Sequence, residues 1–180
     1  MNFSKKNHPN LGIKENSVSK KLFTTIVLIV GLMFTASSQE ISKHAIGIRT
    51  GDNDGFNNEI SYQHGINDVN RVELDLGFRN NKNYDVWKLS GIYQWVWNID
   101  GSFNWYAGFG AGIGSWNNKN TDFIVDDGLF VNAAGNIGVE YNFDIPLLIS
   151  LDFRPELGIV NDFGDDDLGL DIALGLRYQF

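Results

Sequence analysis

Residues 168–180 read Leu168-Gly-Leu-Asp-Ile-Ala-Leu-Gly-Leu-Arg-Tyr-Gln-Phe180. Every even-numbered position holds a large apolar residue, whereas every odd-numbered position holds a glycine, an alanine or a polar residue. Strict alternation over so many positions predicts a β-strand with one apolar face. The stretch 147–154 alternates in the same way, so the chain is predicted to contain at least two consecutive strands here.

The same alternation continues towards the N-terminus, and no part of residues 39–180 carries a sustained apolar stripe of helical period. Turn-forming residues separate the alternating segments, as at 80–83 and at Asp100-Gly101. We therefore predict an all-β fold whose eight strands lie at about 43–50, 56–65, 70–79, 85–98, 103–116, 128–142, 147–160 and 167–180. An even number of such antiparallel strands predicts a closed up-and-down barrel.

Residues 22–36 form the one long unbroken apolar run of the chain. Lys20 and Lys21 precede this run, and the small residues Ala36 and Ser38 follow it. Because the run is shorter than the roughly 20 residues of a membrane-spanning helix, we predict a cleaved signal peptide over 1–38 with an extended n-region. The barrel is then predicted over 39–180, and an uncleaved membrane anchor is the alternative.

Charge and composition exclude several classes of function. The chain has 14 basic and 22 acidic residues, a net charge of -8, which argues against a nucleic-acid-binding protein. It contains no cysteine, which excludes disulfides and cysteine-based zinc sites. The predicted leader carries five lysines and one glutamate, so its removal leaves nine basic and 21 acidic residues and a net charge of -12.

Two barrel designs share the period-two pattern. A soluble barrel buries its apolar face inside, whereas a membrane barrel turns that face towards lipid. Gly108, Gly110, Gly112 and Gly114 occupy the polar face of one strand. Glycine weakens a strand, and on a solvated outer face nothing compensates for this loss. Inside an eight-stranded barrel, which side chains fill, glycine leaves room for long neighbouring side chains. The glycines therefore favour a transmembrane barrel with its polar face inward.

Aromatic residues of the apolar face are sorted by position along the strands. Eight of them are predicted to meet at one rim of the barrel: Trp95, Trp97, Phe103, Trp105, Tyr141, Phe143, Tyr178 and Phe180. Three more are predicted near the opposite rim: Phe56, Phe78 and Trp87. Two aromatic girdles are typical of a barrel that spans a membrane.

The polar face carries both signs of charge. In a narrow lumen these side chains must pair, because an unpaired buried charge is costly. The predicted lumen network comprises Arg49, Glu59, Glu73, Asp75, Arg79, Lys88, Glu140, Asp152, Arg154, Glu156, Asp171 and Arg177.

The last strand resembles the C-terminal signal that outer-membrane barrels present to their insertion machinery, with Gly175, Tyr178 and Phe180 at the matching positions. The segments 105–114, 135–141 and 152–157 are similar to small porin-like barrels. The chain thus resembles the small outer-membrane β-barrel family, which includes the OmpA transmembrane domain, OmpX-like proteins and the outer membrane protein beta-barrel domain. Pro155 departs from this pattern, and we expect a local bulge or a missing ladder bond there.

The resemblance implies an integral outer-membrane protein of a Gram-negative cell, with a structural or surface-interaction role and no enzymatic activity. Its implied partners are outer-membrane lipid and the insertion machinery, and it is expected to be a monomer with a lumen plugged by polar side chains. We expect no cofactor, although the acidic outer loops offer oxygen ligands that suit weak binding of divalent cations.

Two other functions stay open at this point. A secreted, soluble lipocalin-like barrel would bind a small hydrophobic ligand and would turn Gly108–Gly114 towards solvent. An outer-membrane lipid-modifying enzyme would use a serine, a histidine and an acid. His44 and His64 are expected to face outward near the first rim. Ser42 lies two residues before His44, but no His-x-Ser pair occurs and no serine closely follows either histidine.

Overall fold

Eight antiparallel strands form a closed barrel in the computed structural model, which describes residues 41–51, 58–80, 82, 84–119, 128–161 and 168–180. The strands are β1 (His44–Gly51), β2 (Asn58–Asn67), β3 (Asn70–Asn80), β4 (Tyr84–Asp100), β5 (Phe103–Asn118), β6 (Gly128–Asn142), β7 (Leu147–Asn161) and β8 (Leu168–Gln179). Each strand pairs with its neighbours in the sequence, and β1 pairs with β8. The prediction of an all-β, eight-stranded, up-and-down barrel is confirmed.

The two ends of the barrel differ in the length of their connections. The end where β1 begins and β8 ends, here called the terminal end, has the connections Asp68-Val69, Gly101-Ser102 and 143–146. Gly101 adopts a φ of 51°, a left-handed conformation that suits glycine in a two-residue turn. The opposite end, here called the loop end, has the connections at 52–57, 81–83, 119–127 and 162–167. Except for the three residues 81–83, each loop-end connection is longer than every terminal-end connection, and such an asymmetry is typical of outer-membrane barrels.

The barrel wall is apolar outside, and its inside carries the charged groups together with a few apolar side chains such as Ile92 and Leu148. On β8, Leu170, Ile172 and Leu174 are exposed, whereas Asp171 and Arg177 are buried. The described strands place no acidic or basic residue on the outward face except near strand ends. This arrangement reverses that of a soluble barrel, which would keep its large apolar side chains inside.

The inward glycines of β5 have two structural reasons. A side chain at Gly112 would meet the amide of Asn132, so this glycine makes room for a longer neighbour, as the sequence predicts. At Gly108 and Gly110, a Cβ atom would instead strike the main-chain carbonyls of Tyr93 and Gly91. Glycine here allows the backbones of β4 and β5 to approach closely, and such positions provide the bends that a small barrel needs.

Pro155 interrupts the ladder between β6 and β7. The paired residues run from Ala134–Glu156 directly to Ile137–Phe153, so two residue pairs of the ladder are missing beside the proline. This gap confirms the missing ladder bond that the sequence predicts. A side chain at Gly135 would contact the ring of Pro155 at 3.3 Å, which indicates that the proline ring lies over that glycine. A β-bulge at Ile159, between the pairs Asn132–Gly158 and Val131–Val160, follows nearby.

Some sequence predictions concern residues outside the described ranges. The predicted signal peptide, its cleavage position and Phe56 fall there. Within the described part of the chain, no helix is long and apolar enough to cross a membrane.

Candidate functional site: the polar interior and its terminal rim

Eleven of the twelve residues of the predicted lumen network are buried inside the barrel, none with more than 7% of its surface exposed. The exception is Arg79, which stands on the inward face of β3 but lies near the loop end and is half-buried. These side chains point into the lumen because successive residues of a strand point alternately to the inside and the outside of a closed barrel.

One contact crosses the full width of the barrel. Arg154 on β7 donates from Nη2 to Glu73 Oε1 and to Asp75 Oδ2, each at 2.7 Å. Since β3 and β7 are separated by three strands on either side, they stand opposite each other. Glu73 also accepts from Arg177 Nη2 at 3.1 Å and from Gln63 Nε2 at 2.6 Å, so a single carboxylate receives two guanidinium groups.

A second cluster centres on Arg49. Its guanidinium lies 2.9 Å from Glu59, 2.6 Å from Asp152 and 2.7 Å from Asp171. Lys88 is 3.5 Å from Glu59, so the ammonium group joins this cluster. Three carboxylates around one guanidinium form a multivalent ion-pair network, and hydrogen bonds to charged groups are the stronger class of such contacts.

The network continues towards the loop end through Glu156. Lys88 Nζ lies 3.1 Å from Glu156 Oε1, and Asn132 Nδ2 donates to Glu156 Oε2 at 2.6 Å. These contacts connect β4, β6 and β7 across the lumen.

Arg71 is a lumen residue outside the predicted network. It is 2% exposed, lies 2.7 Å from Glu140, and its guanidinium stands 4.8 Å from the ring centre of Tyr106. Its Nε donates to Gln94 at 2.6 Å, and Asn104 donates to Glu140 at 3.2 Å. Arg71 lies two residues before Glu73, so the same alternation that selected Glu73 could have identified it.

The buried charges are not balanced. The buried bases are Arg49, Arg71, Lys88, Arg154 and Arg177, and the buried acids are Glu59, Glu73, Asp75, Glu140, Asp152, Glu156 and Asp171. Asp75 Oδ1 and Ser90 Oγ have no protein partner, and these two residues are paired across β3 and β4. Unsatisfied buried polar atoms of this kind are suited to bound water.

Aromatic side chains gather at the terminal end. Trp97 and Trp105 face each other across β4 and β5 and stack with ring centres 4.4 Å apart. Phe103 and Tyr141 make an edge contact at 4.6 Å. The remaining members of the predicted girdle lie on the outward face at the same end of the barrel: Trp95, Phe143, Tyr178 and Phe180.

Two of the three residues of the proposed insertion signal are outward aromatics, but Gly175 is buried. A side chain at Gly175 would meet Ser150 Oγ and the guanidinium of Arg177. Arg177 Nη1 donates to Ser150 at 2.8 Å, so this glycine leaves room for a lumen contact. The position thus has a packing reason that is separate from any role in insertion.

Solved structures share this architecture. The N-terminal β-barrel domain of Pseudomonas aeruginosa OprF covers 79% of this chain and 100% of its own, at 15% identity and a TM-score of 0.61. Neisserial surface protein A covers 76% and 94% at 10% identity and a TM-score of 0.54. Ail, the attachment invasion locus protein of Yersinia pestis, covers 77% and 97% at 18% identity and a TM-score of 0.51.

The chain has the fold of the small outer-membrane barrels. No protein-family model matches the sequence, and no curated protein matches it. The resemblance to small outer-membrane barrels that the last strand predicts is therefore supported by the three-dimensional fold.

On this barrel, the two histidines of residues 39–180 lie side by side at the terminal end. His44 and His64 are paired across β1 and β2, and their ring centres are 5.0 Å apart. His44 Nδ1 lies 2.8 Å from the hydroxyl of Tyr62 and 3.4 Å from His64 Nδ1. The ring of Phe180 stacks on His44 at 5.4 Å.

Ser42 does not complete a catalytic arrangement with His44. Its hydroxyl donates at 2.9 Å to the main-chain carbonyl of His44 instead of to the imidazole. In the described ranges, no group of three or more histidine, cysteine, aspartate or glutamate side chains has the spacing of a metal site.

Proposed function

We propose that this protein is an integral outer-membrane barrel, exported with a cleaved signal peptide, whose role is structural or surface-related and not enzymatic. The observation that carries this proposal is the inverted wall, with paired charges inside and large apolar side chains outside. A membrane supplies the environment in which that outer surface is stable.

The exposed apolar band argues for lipid contact. Soluble monomers rarely expose a continuous apolar patch of more than a few hundred Å², but here apolar residues cover the outward face of every strand. Ile60, Leu74, Ile137, Leu151 and Ile172 are each at least 42% exposed and come from five different strands. A lipocalin-like soluble barrel would need these side chains inside, where the charged groups are.

The interior argues for a closed lumen. Arg154 reaches from β7 to the carboxylates on β3, and long side chains from other strands meet above and below this contact. An aqueous channel requires about 16 strands. We therefore infer that the ion-pair network plugs the barrel and stabilises its wall.

A non-enzymatic role is supported by the absence of a serine-histidine-acid arrangement around the two described histidines. Ser42 bonds to the main chain, and the partners of His44 Nδ1 are Tyr62 and His64.

The loop end carries many aspartates in the sequence, among them Asp165, Asp166 and Asp167. A surface role would use these loops, with weak binding of divalent cations as one form of it. We further propose that the barrel is monomeric and depends on the insertion machinery.

The test is envelope fractionation combined with gel migration. The protein should be recovered with the outer membrane, and in detergent it should migrate differently before and after boiling because the barrel unfolds only on heating. N-terminal sequencing should begin at residue 39. Recovery as a soluble protein, or migration that boiling does not alter, would overturn the proposal.

A conductance measurement separates a plugged barrel from a channel. Reconstituted wild-type protein should give no steady conductance in planar bilayers. Steady wild-type conductance would contradict the plugged lumen while leaving the membrane barrel intact.

A further inference from the structure

Two imidazole rings with facing Nδ1 atoms on the barrel surface form an arrangement that the proposed function does not use. His44 and His64 are paired across antiparallel strands, and their Nδ1 atoms are 3.4 Å apart. Both side chains are partly exposed, so solutes at the terminal end can reach them.

Hydrogen bonding alone leaves this pair incompletely satisfied. A neutral imidazole nitrogen carries either one hydrogen or one lone pair. The Tyr62 hydroxyl lies 2.8 Å from His44 Nδ1 and, with no metal bound, can donate to the lone pair of that nitrogen; a bound metal ion takes this lone pair and the hydroxyl hydrogen turns away. Without metal, His64 Nδ1 lies 3.4 Å from an atom that no longer accepts its hydrogen, and this distance exceeds that of an ordinary hydrogen bond.

The distance instead suits a shared metal ion. A zinc ion lies about 2.0–2.1 Å from each imidazole nitrogen, so two nitrogens at a tetrahedral angle are separated by about 3.3–3.4 Å. The observed separation of the two Nδ1 atoms is 3.4 Å. Neutral imidazole is a common ligand for Zn²⁺ and Cu²⁺, so the geometry meets the preference of these ions for nitrogen.

Neighbouring residues hold the first ring in place. Phe180 stacks on His44 with an interplanar angle of 22°, and its main chain exchanges hydrogen bonds with that of His44 at 2.9 and 3.2 Å. Tyr62 lies on the same outward face of β2 as His64, and its hydroxyl is 2.8 Å from His44 Nδ1. A ligand that is already oriented loses less conformational freedom when the metal binds.

We propose that His44 and His64 form a surface site for one divalent transition-metal ion, Zn²⁺ or Cu²⁺, at the terminal rim of the barrel. The two Nδ1 atoms are the protein ligands, and water completes the coordination. Bound metal crosslinks β1 to β2 beside the seam where β1 meets β8, and it therefore stabilises the barrel at the point where the strand order closes.

The experiment uses untagged protein recovered from the envelope, so that no added histidines compete. Zn²⁺ affinity is measured by competition with a chromogenic chelator, and thermal unfolding is followed with and without Zn²⁺. We expect one ion per barrel and a higher unfolding temperature with the metal. His64→Asn should reduce affinity about tenfold or more, because losing a ligand costs at least as much as losing a residue that orients one.

Tyr62→Phe is the matched control because it removes a polar atom from the same cluster but keeps both imidazoles. Its Zn²⁺ affinity should equal or exceed that of the wild type, because the variant removes the hydroxyl that competes with the metal for the lone pair of His44 Nδ1, and both variants should keep the folded gel band. Electron paramagnetic resonance of bound Cu²⁺ should report two nitrogen ligands in the wild type and one in the His64→Asn variant. Equal Zn²⁺ affinity of the wild type and His64→Asn, or an equal loss in both variants, would overturn the site.

Discussion

Arg154 Nη2 lies 2.7 Å from Glu73 Oε1, although the strands that carry these residues stand on opposite sides of the barrel. Both side chains are completely buried, and Asp75 binds the same guanidinium nitrogen. The contact therefore combines charge neutralisation with a physical link across the interior.

Replacing Arg154 with Met should destabilise the barrel strongly because it leaves two buried carboxylates without their shared cation. Removal of one partner from a buried pair costs about 3–5 kcal/mol. The free energy of unfolding is measured by urea titration in detergent micelles. Adding Asp75→Asn to this variant should restore part of the loss, because Asp75 has lost the guanidinium that it binds whereas Glu73 keeps Arg177; no restoration would show that packing, not charge, is the cause. Lys119→Ala, which breaks an exposed pair with Asp85, serves as a control with an effect of at most about 1 kcal/mol.

A side chain at Gly110 should be much less tolerated than one at the adjacent residue. Gly110→Val places a Cβ atom against the main-chain carbonyl of Gly91, and the strands must separate to admit it. Overpacking costs about 1–3 kcal/mol and occasionally more. Ala111→Val, which points outward, is the matched control and should fold normally. The measurement is the yield of the band that shifts on boiling, and equal yields would refute a close approach of β4 and β5.

An arginine in the middle of the outer wall should be costly only if that wall faces lipid. Leu151 is 50% exposed and is the fifth of the fifteen residues of β7, between Val139 and Leu174 on the neighbouring strands. Leu151→Arg should lower the free energy of unfolding in bilayers by about 2–4 kcal/mol. Asn58→Arg, at the loop end of β2, should cost about 0–1 kcal/mol. If both changes have the same small effect, the apolar wall does not face hydrocarbon.

The stacked pair Trp97 and Trp105 should show a measurable coupling. A double-mutant cycle with Trp97→Ala and Trp105→Ala measures the interaction between the two rings, whose centres are 4.4 Å apart. We expect a coupling of about 0.5–1.5 kcal/mol in lipid, since aromatic pairs contribute this much beyond their buried area. If the effects of the two substitutions on the free energy of unfolding are strictly additive, the rings interact with the membrane interface and not with each other.

Phe180→Ala should affect assembly in cells more than refolding in a test tube if Phe180 is part of an insertion signal. The change should lower the amount of protein in the outer membrane, while purified protein should still refold in detergent. Tyr93→Ala is a comparison variant because it removes another outward aromatic away from the C-terminus. If refolding in detergent falls as far as assembly in cells, Phe180 acts through stability, as its stacking on His44 allows.

Period two predicted the strands well because an inward or outward position is a local property of the sequence. All described boundaries lie within two residues of the predicted ones. On β3, for example, Arg71, Glu73 and Asp75 lie at every second position and all three point inward. Arg71 was omitted from the predicted network even though the rule that selected Glu73 includes it.

Other features depend on register, which the sequence does not specify locally. His44 and His64 are twenty positions apart, and only the pairing of β1 with β2 brings their rings together. The partner of Arg154 across the lumen likewise follows from closure of the barrel. The bulge at Ile159 follows Gly158, and a glycine within a strand often marks a bulge, but the register alone shows which residue stays unpaired. The ladder gap at Pro155 was predictable because proline lacks an N–H group.

The hydrogen bonds between His44 and Phe180 have a consequence for the order of folding. Seven of the eight strand pairings join segments that are adjacent in the sequence, and only the pairing of β1 with β8 joins distant ones. Hairpins can thus form before the barrel closes. The loss of chain entropy on bringing the two ends together occurs when β1 pairs with β8. Because those ends already touch, a circular permutant that joins them and opens the chain at a loop should fold to the same barrel. Its last folding step should then be the pairing of a different pair of strands.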